Sequence, residues 1–391
     1  MIELGPSSRL LTKSAMQKSL NVQNQEEYIS FALGLPANEA IPLTLIQRSA
    51  NYYNNGSAIQ YSPPLLKLKT QIKELVKQRG INCDEEEIFL TSGAQQGISL
   101  LTRLLHNKSR IIITEELVYP GFLQIAQSLE ANIITISSCY HTGIDLNMLE
   151  EKIKASQTKP SLIYTVIDGN NPLSLSLSLK KRKKLVSIAK KYEIPILEDD
   201  PYGFLCYQQE QLPALKAIEQ DYVCYIGSFS KVIAPALRVG WIIAPKYIIP
   251  KLSMLKESTD IDTATFSQRI IYKFIDGGYF EDHLTKVKDL YREKRDLMLS
   301  CIKTFLPPST KCIVPQNGIF LWIELDNTID TEKLFQEALK KKVIIVPGNA
   351  FAVPQKTTKD KNIANNCIRL NFSFSNYEDI EEGVRRIGLA L

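Results

Sequence analysis

Apolar residues along the chain keep two alternating rhythms. Between residues 63 and 79, Leu65, Leu68, Ile72 and Leu75 recur at spacings of three and four with lysines between them. That spacing predicts an amphipathic helix, and the following Gly80 suits its stop. Short apolar runs bounded by turn residues then alternate with longer helical patterns. Ile88–Leu90 leads through Thr91-Ser92-Gly93 into a helix, and residues 111–129 (IIITEELVYPGFLQIAQSL) repeat strand, turn and helix. Further strands are expected at Leu162–Ile167, Ile194–Leu197 and Tyr222–Ile226, with a helix opening after Ser178, a good N-cap. This alternation predicts an α/β chain on a largely parallel sheet. Beyond about residue 285 the charge density rises and the tail reads helix, strand, strand, helix, strand, helix, which suggests a second, smaller α+β domain. Residues 172–180 (PLSLSLSLK) alternate with period two, compatible with an exposed strand, although their end merges into a helix start.

Composition narrows the chemistry. At 391 residues the chain has room for two or three domains and a large core, and its ordinary apolar and charged fractions exclude a collagen-like or disulfide-stapled protein. A net charge of +5 demands neither a nucleic-acid nor a membrane partner. The run KKRKK at 180–184 reads as a solvated helix face with Leu179, Leu185 and Ile188 turned inward. The three histidines, His106, His141 and His283, are isolated from one another and from carboxylate or cysteine motifs, so neither a metal site nor a Ser-His-Asp triad is expected. Seven cysteines form no CxxC pair and leave one over, and no apolar run reaches about 18 residues. With no signal-like apolar stretch after the first basic residues, a cytoplasmic location is expected.

Three segments carry candidate chemistry. In Ser228-Phe229-Ser230-Lys231, followed by Arg238-Val239-Gly240-Trp241, a lysine lies just past the end of a buried strand, where open α/β sheets bind ligands. The hydroxyls and the guanidinium around it could converge on one phosphate, as an imine-forming pyridoxal phosphate enzyme requires. In Ile196-Leu197-Glu198-Asp199-Asp200-Pro201-Tyr202-Gly203 a strand runs into consecutive carboxylates, which need a cation or donors when buried. A protonated pyridine nitrogen would serve. A divalent metal is the alternative, but no third ligand is evident nearby. Thr91-Ser92-Gly93-Ala94-Gln95-Gln96 stands at a strand-to-helix turn, where backbone N–H groups can cradle phosphate.

Together these segments resemble the fold-type I pyridoxal phosphate enzymes of the class I/II aminotransferase family, and most closely the branch with 2-aminoadipate and kynurenine aminotransferases. The resemblance runs in family order from residues 29–42 (ISFALGLPANEAIP) to 368–376 (IRLNFSFSN). It implies a large domain, 48–285, with a mostly parallel seven-stranded sheet flanked by helices, and a small domain built from 1–47 and 286–391. Lys231 would form the internal aldimine with pyridoxal 5′-phosphate, Asp199 would pair with the pyridine nitrogen, and Tyr202 and Asn171 would contact the ring hydroxyl. Tyr119 would stack on the ring, while Gly93, Ala94, Gln95, Ser228, Ser230 and Arg238 surround the phosphate. Arg369, with Gly34 and Asn171, would bind the substrate and clamp its α-carboxylate. Tyr61 resembles the tyrosine that reaches the phosphate across a homodimer interface.

The chain departs from the family pattern around the substrate. Asn171-Pro172-Leu173-Ser174 stands where Asn-Pro-Thr-Gly is usual, Asn170 where Gln is common, and Leu33-Gly34-Leu35-Pro36 where Gly-Gly-Leu-Pro is usual. The glycine usual shortly after Tyr61 is also missing, with Pro64 near its place. The resemblance implies transamination of a free L-α-amino acid. The departures motivate an alternative, β/γ-elimination, replacement or cyclisation on a modified amino acid. A ligand-sensing domain of a transcriptional regulator is not expected, because the family pattern begins within the first thirty residues. The first ~40 residues and a loop at 254–266 are expected to line the substrate pocket, and the identity of the amino acid is left open.

Overall fold

A computed structural model describes residues 27–53, 55–208, 211–354 and 363–391. Residues 1–26, which carry part of the expected small domain and of the expected pocket lining, lie outside them. Seven strands form the main sheet: β1 (Ile88–Thr91), β2 (Ile111–Glu115), β3 (Asn132–Ile136), β4 (Leu162–Thr165), β5 (Ile196–Asp200), β6 (Val223–Ser228) and β7 (Gly240–Ile243). Their spatial order is β1-β7-β6-β5-β4-β2-β3. Only β7 runs antiparallel, to both β1 and β6; the other pairs are parallel. Neighbouring residues of one strand enter different apolar clusters: Tyr164 and Leu197 pack into one, Ile163 and Ile196 into the other. That is why these strands read as unbroken apolar runs, since a parallel sheet covered on both faces has no wet side.

The helix at Leu66–Leu75 buries Leu68, Ile72 and Leu75, tightens into a 3₁₀ turn over Val76–Arg79, and stops at Gly80 with φ of 74°. The Ser178 side chain caps the helix Leu179–Lys191 as its position implied. The Lys-rich run on that helix is not uniformly solvated. Arg182 is fully buried, because Asp168 and the carbonyls of Leu177 and Pro213 receive its guanidinium. Residues 172–180 form no strand either. Their alternation places Leu173, Leu175 and Leu177 in the core while the chain stays irregular, held by Asn170 N–H to Leu175 O and Leu177 N–H to Ile167 O.

A second sheet joins β8 (Lys311–Cys312), β9 (Phe320–Glu324), β10 (Val346–Pro347) and β11 (Cys367–Asn371) in the order β8-β9-β11-β10. The segment after residue 27 is tied to this part of the molecule. Ile29–Ser30 pairs with Val343–Ile344, and Asn371 N–H donates to Phe31 O. Residues 47 and 285 each fall inside a continuous helix, Leu43–Asn51 and Tyr279–Phe305. Among the described residues no helix is long and apolar enough to cross a membrane.

Candidate active site

The acidic run belongs to the strand itself. β5 extends through Glu198, Asp199 and Asp200, three residues beyond the expected end at Leu197. Successive side chains of a strand point to opposite faces. Glu198 and Asp200 share one face: Glu198 accepts from the backbone N–H of Leu215 and Lys216, and Asp200 from Arg79 Nε and Tyr225 OH, both at 2.9 Å. Asp199 points the other way. Its Oδ2 accepts from Tyr164 OH at 2.7 Å, while its buried Oδ1 has no partner among the described residues. Burial pushes this carboxyl up to about 7, with Tyr164 pulling it down and the Asp200 charge adding to the rise.

Asp199 faces a cavity of about 210 Å³ that also receives Lys231. Lys231 Nζ donates to Gly34 O at 2.6 Å. Burial lowers its amine to about 8, helped by the positive charges of Arg238 and Arg369. One wall is an anion cradle. Gly93, with φ of 82°, precedes the helix Ala94–Leu105, and a side chain there would meet Arg238 Nη2 at 2.4 Å. Arg238 Nη2 donates to Ser92 O at 3.0 Å, and its Nη1 approaches Ser230 Oγ at 3.4 Å. Ser228 Oγ and Ser230 Oγ lie 3.0 Å apart. Hydroxyls, a guanidinium and a helix N-terminus thus gather at one end of the cavity, the combination that favours a phosphate.

Another part of the lining is built around Arg369 on β11. Its guanidinium lies 4.0 Å from the Phe320 ring centre and 4.7 Å from that of Phe351. Nη1 donates to Asn171 Oδ1 at 2.7 Å, and Nη2 donates to Ala32 O. Desolvation lowers this arginine to about 10, leaving it charged at neutral pH. Tyr119 precedes the helix Pro120–Ser128, and a side chain on Gly121 would strike its ring at 2.5 Å. Burial raises the Tyr119 phenol to about 12 and holds that of Tyr202 well above its usual value.

Gly34, Ala94, Gln95, Tyr119, Asn171, Asp199, Tyr202, Ser228, Ser230, Lys231, Arg238 and Arg369 all line this cavity, and Gly93 packs against Arg238 at its rim. Tyr61 does not reach it within the same chain. That residue is 87% exposed and lines a separate surface cleft with Asp260 and residues 262–266. The stretch 254–266 was expected as a pocket-lining loop and differs on both counts. Met254–Asp260 is the end of the helix Ile249–Asp260, because Lys256 binds Asp260 one turn on at 2.8 Å, and no residue of the stretch reaches the cavity. Leu33, Leu35 and Phe320 line the cavity without having been singled out, although 33–36 was marked as a departure. Tyr164 was missed as well, since a tyrosine inside an apolar strand carries no signal of its own.

The donor set suits pyridoxal 5′-phosphate: an orphaned buried carboxylate oxygen for a ring nitrogen, a cationic cradle for a phosphate, and an amine in the same cavity. Comparison with known proteins agrees with this. The family described as aminotransferase class I and II matches residues 31–387. Aromatic-amino-acid aminotransferase 1 of Thermococcus litoralis is 33% identical, over 96% of this chain and 90% of its own length. Among solved structures, a kynurenine aminotransferase from Pyrococcus horikoshii superposes with a TM-score of 0.91 at 31% identity, covering 99% of this chain and 96% of that one. LysN, the α-aminoadipate aminotransferase of Thermus thermophilus, complexed with N-(5′-phosphopyridoxyl)-L-leucine, gives 0.89 at 29%, covering 99% and 97%. None of these similarities points to elimination, replacement or cyclisation.

Proposed function

The chain belongs to the class I and II aminotransferases, and from that premise we propose how its own residues carry the reaction. It is a pyridoxal 5′-phosphate-dependent aminotransferase. When bound, the cofactor supplies the electron sink for breaking the Cα–H bond of an amino acid and carries the amino group between two oxo acids. In our reading Gly93, Ala94, Gln95, Ser228, Ser230 and Arg238 hold its phosphate, and Tyr119 covers the ring. Asp199 Oδ1 meets the ring nitrogen and keeps it protonated. Asn171 and Tyr202 hold the ring hydroxyl. Lys231 anchors the cofactor and, once released by substrate, takes the proton from Cα at Nζ. An amine lowered to about 8 is a competent base near neutrality, where an ordinary lysine at about 10.4 is almost wholly protonated.

Arg369, flattened between two phenyl rings, clamps the substrate α-carboxylate beside Gly34 and Asn171. Lys231, Arg238 and Arg369 are the cations among the described lining residues, and each already has a task. The remaining wall is largely apolar, with Leu33, Leu35 and Phe320. We therefore read the preferred substrate as an amino acid with an uncharged, apolar or aromatic side chain, which the name of the T. litoralis relative supports.

We further propose a homodimer in which Tyr61 serves the partner's phosphate site; the exposure of Tyr61 beside exposed Ile59 and Ile261 supports this. The division into 48–285 and the two chain ends is kept, with the helix Tyr279–Phe305 running through its boundary. The seven free cysteines support a reducing, cytoplasmic setting.

The observation that carries the reading is the convergence of Lys231, Asp199 and Arg369 on one cavity. Holoenzyme given phenylalanine without any oxo acid should convert once to the pyridoxamine form and release one equivalent of oxo acid per site. Repeated turnover or ammonia release would overturn the assignment, and a monomer by light scattering would overturn the dimer.

A further inference from the structure

One polar group is committed to the site from outside the cavity. Tyr164 lies on β4 beside β5, in register with Leu197, and its hydroxyl donates to Asp199 Oδ2 at 2.7 Å. The tyrosine is 1% exposed, and its ring lies parallel to that of Phe122, with centres 3.8 Å apart and planes 1° from parallel. Its own backbone carbonyl accepts from Thr114 Oγ1 on the neighbouring strand at 3.2 Å. Stack and strand leave the hydroxyl little freedom. Burial and the adjacent carboxylate hold the phenol well above its ordinary range, so it is a donor across the working pH range. The other oxygen of the same carboxylate is buried and unpartnered.

We propose that Tyr164 is the positioning residue of the cofactor site: by engaging Oδ2 it fixes the plane of the Asp199 carboxylate, so that Oδ1 alone faces the ring nitrogen. The proposal rests on the reading of Asp199 as the partner of that nitrogen. A hydrogen bond is stronger to a charged acceptor than to a neutral one, so the phenol favours the ionised carboxylate that a protonated pyridine needs. Asp200 stands next to Asp199 with a second negative charge. Arg79 offsets it at 2.9 Å from the opposite face and leaves the Asp199 side to the tyrosine.

Tyr164→Phe keeps the stack on Phe122 and removes only the donor. In the holoenzyme kcat should fall about 10- to 100-fold with KM for the amino acid changed less than about three-fold. Titration of the cofactor-free protein with pyridoxal 5′-phosphate should show affinity weakened about 10-fold or more. The decisive arm is the cycle with Asp199→Asn. Once the carboxylate is gone, Tyr164→Phe should change neither kcat nor cofactor affinity further, because its effect runs through Asp199. If Tyr164→Phe lowers both by the same factor in the Asp199→Asn background, or leaves both unchanged in the wild-type background while Asp199→Asn abolishes them, the proposal fails and the reading of Asp199 stands. If Asp199→Asn itself changes neither quantity, that reading fails and takes the proposal with it.

Discussion

The amino group of Lys231 donates to the carbonyl of Gly34 at 2.6 Å, joining residues 197 positions apart in the chain. The contact ties the lysine beyond β6 to the segment whose Ile29–Ser30 pairs with Val343–Ile344 and whose Phe31 O accepts from Asn371 of β11. Among the described residues it gives a desolvated amine its one hydrogen-bond acceptor and no counter-ion, with Arg238 and Arg369 adding like charge. This is an electrostatically costly place for an ammonium.

That cost sets a pH dependence. With the folded amine at about 8 and the unfolded one at about 10.4, the unfolded chain binds more protons between these values, so cofactor-free stability should rise with pH across that window. Below about 8 the penalty is fully present, and Lys231→Met should melt several degrees higher than wild type at pH 7. Capture of pyridoxal 5′-phosphate by wild-type apoprotein should quicken about 10-fold per unit up to pH ~8 and then level off. Stopped-flow absorbance and thermal unfolding check the two halves; a pH-independent capture rate below 8 would contradict the assignment.

Arg369→Lys should leave the cofactor in place and damage substrate binding. A lysine cannot keep the bond to Asn171 Oδ1, the bond to Ala32 O and the stack between Phe320 and Phe351 while presenting two parallel donors to a carboxylate. We expect kcat/KM for amino acids about 100-fold lower, with cofactor affinity changed less than about three-fold. Steady-state kinetics beside a cofactor titration would show it, and equal losses in both would place Arg369 elsewhere.

Arg79→Met should unsettle the fold. Arg79 is fully buried and bridges Asp168 and Asp200, and a side chain on Gly203 would strike both Asp200 and Arg79. Removing the cation leaves two buried carboxylates under-partnered, a loss of about 3–5 kcal/mol. Urea unfolding of the cofactor-free protein measures it. A double variant with Asp200→Asn should recover part of the loss, and no recovery would point to packing in place of charge.

What could be read in advance follows from range. Strand, turn and helix order was legible because period-two and 3.6-residue patterns are local, and Gly93, Asp199 and Lys231 each stand at such a junction. The end of β5 was not, because the partners that let three consecutive acidic residues stay in a buried strand, Arg79, Tyr164 and the backbone N–H of Leu215, come from distant positions. Arg182 was hidden among lysines for the same reason: its acceptor, Asp168, is 14 residues away on a different element. Tyr61 was legible as a motif residue, yet one chain alone leaves it on the surface.

The most direct test of the account is the position of the covalent bond to the cofactor. Holoenzyme reduced with borohydride and mapped by peptide mass spectrometry should carry the phosphopyridoxyl group on Lys231, and Lys231→Ala should carry none. A label on another lysine, or an unchanged label and spectrum in Lys231→Ala, would contradict it.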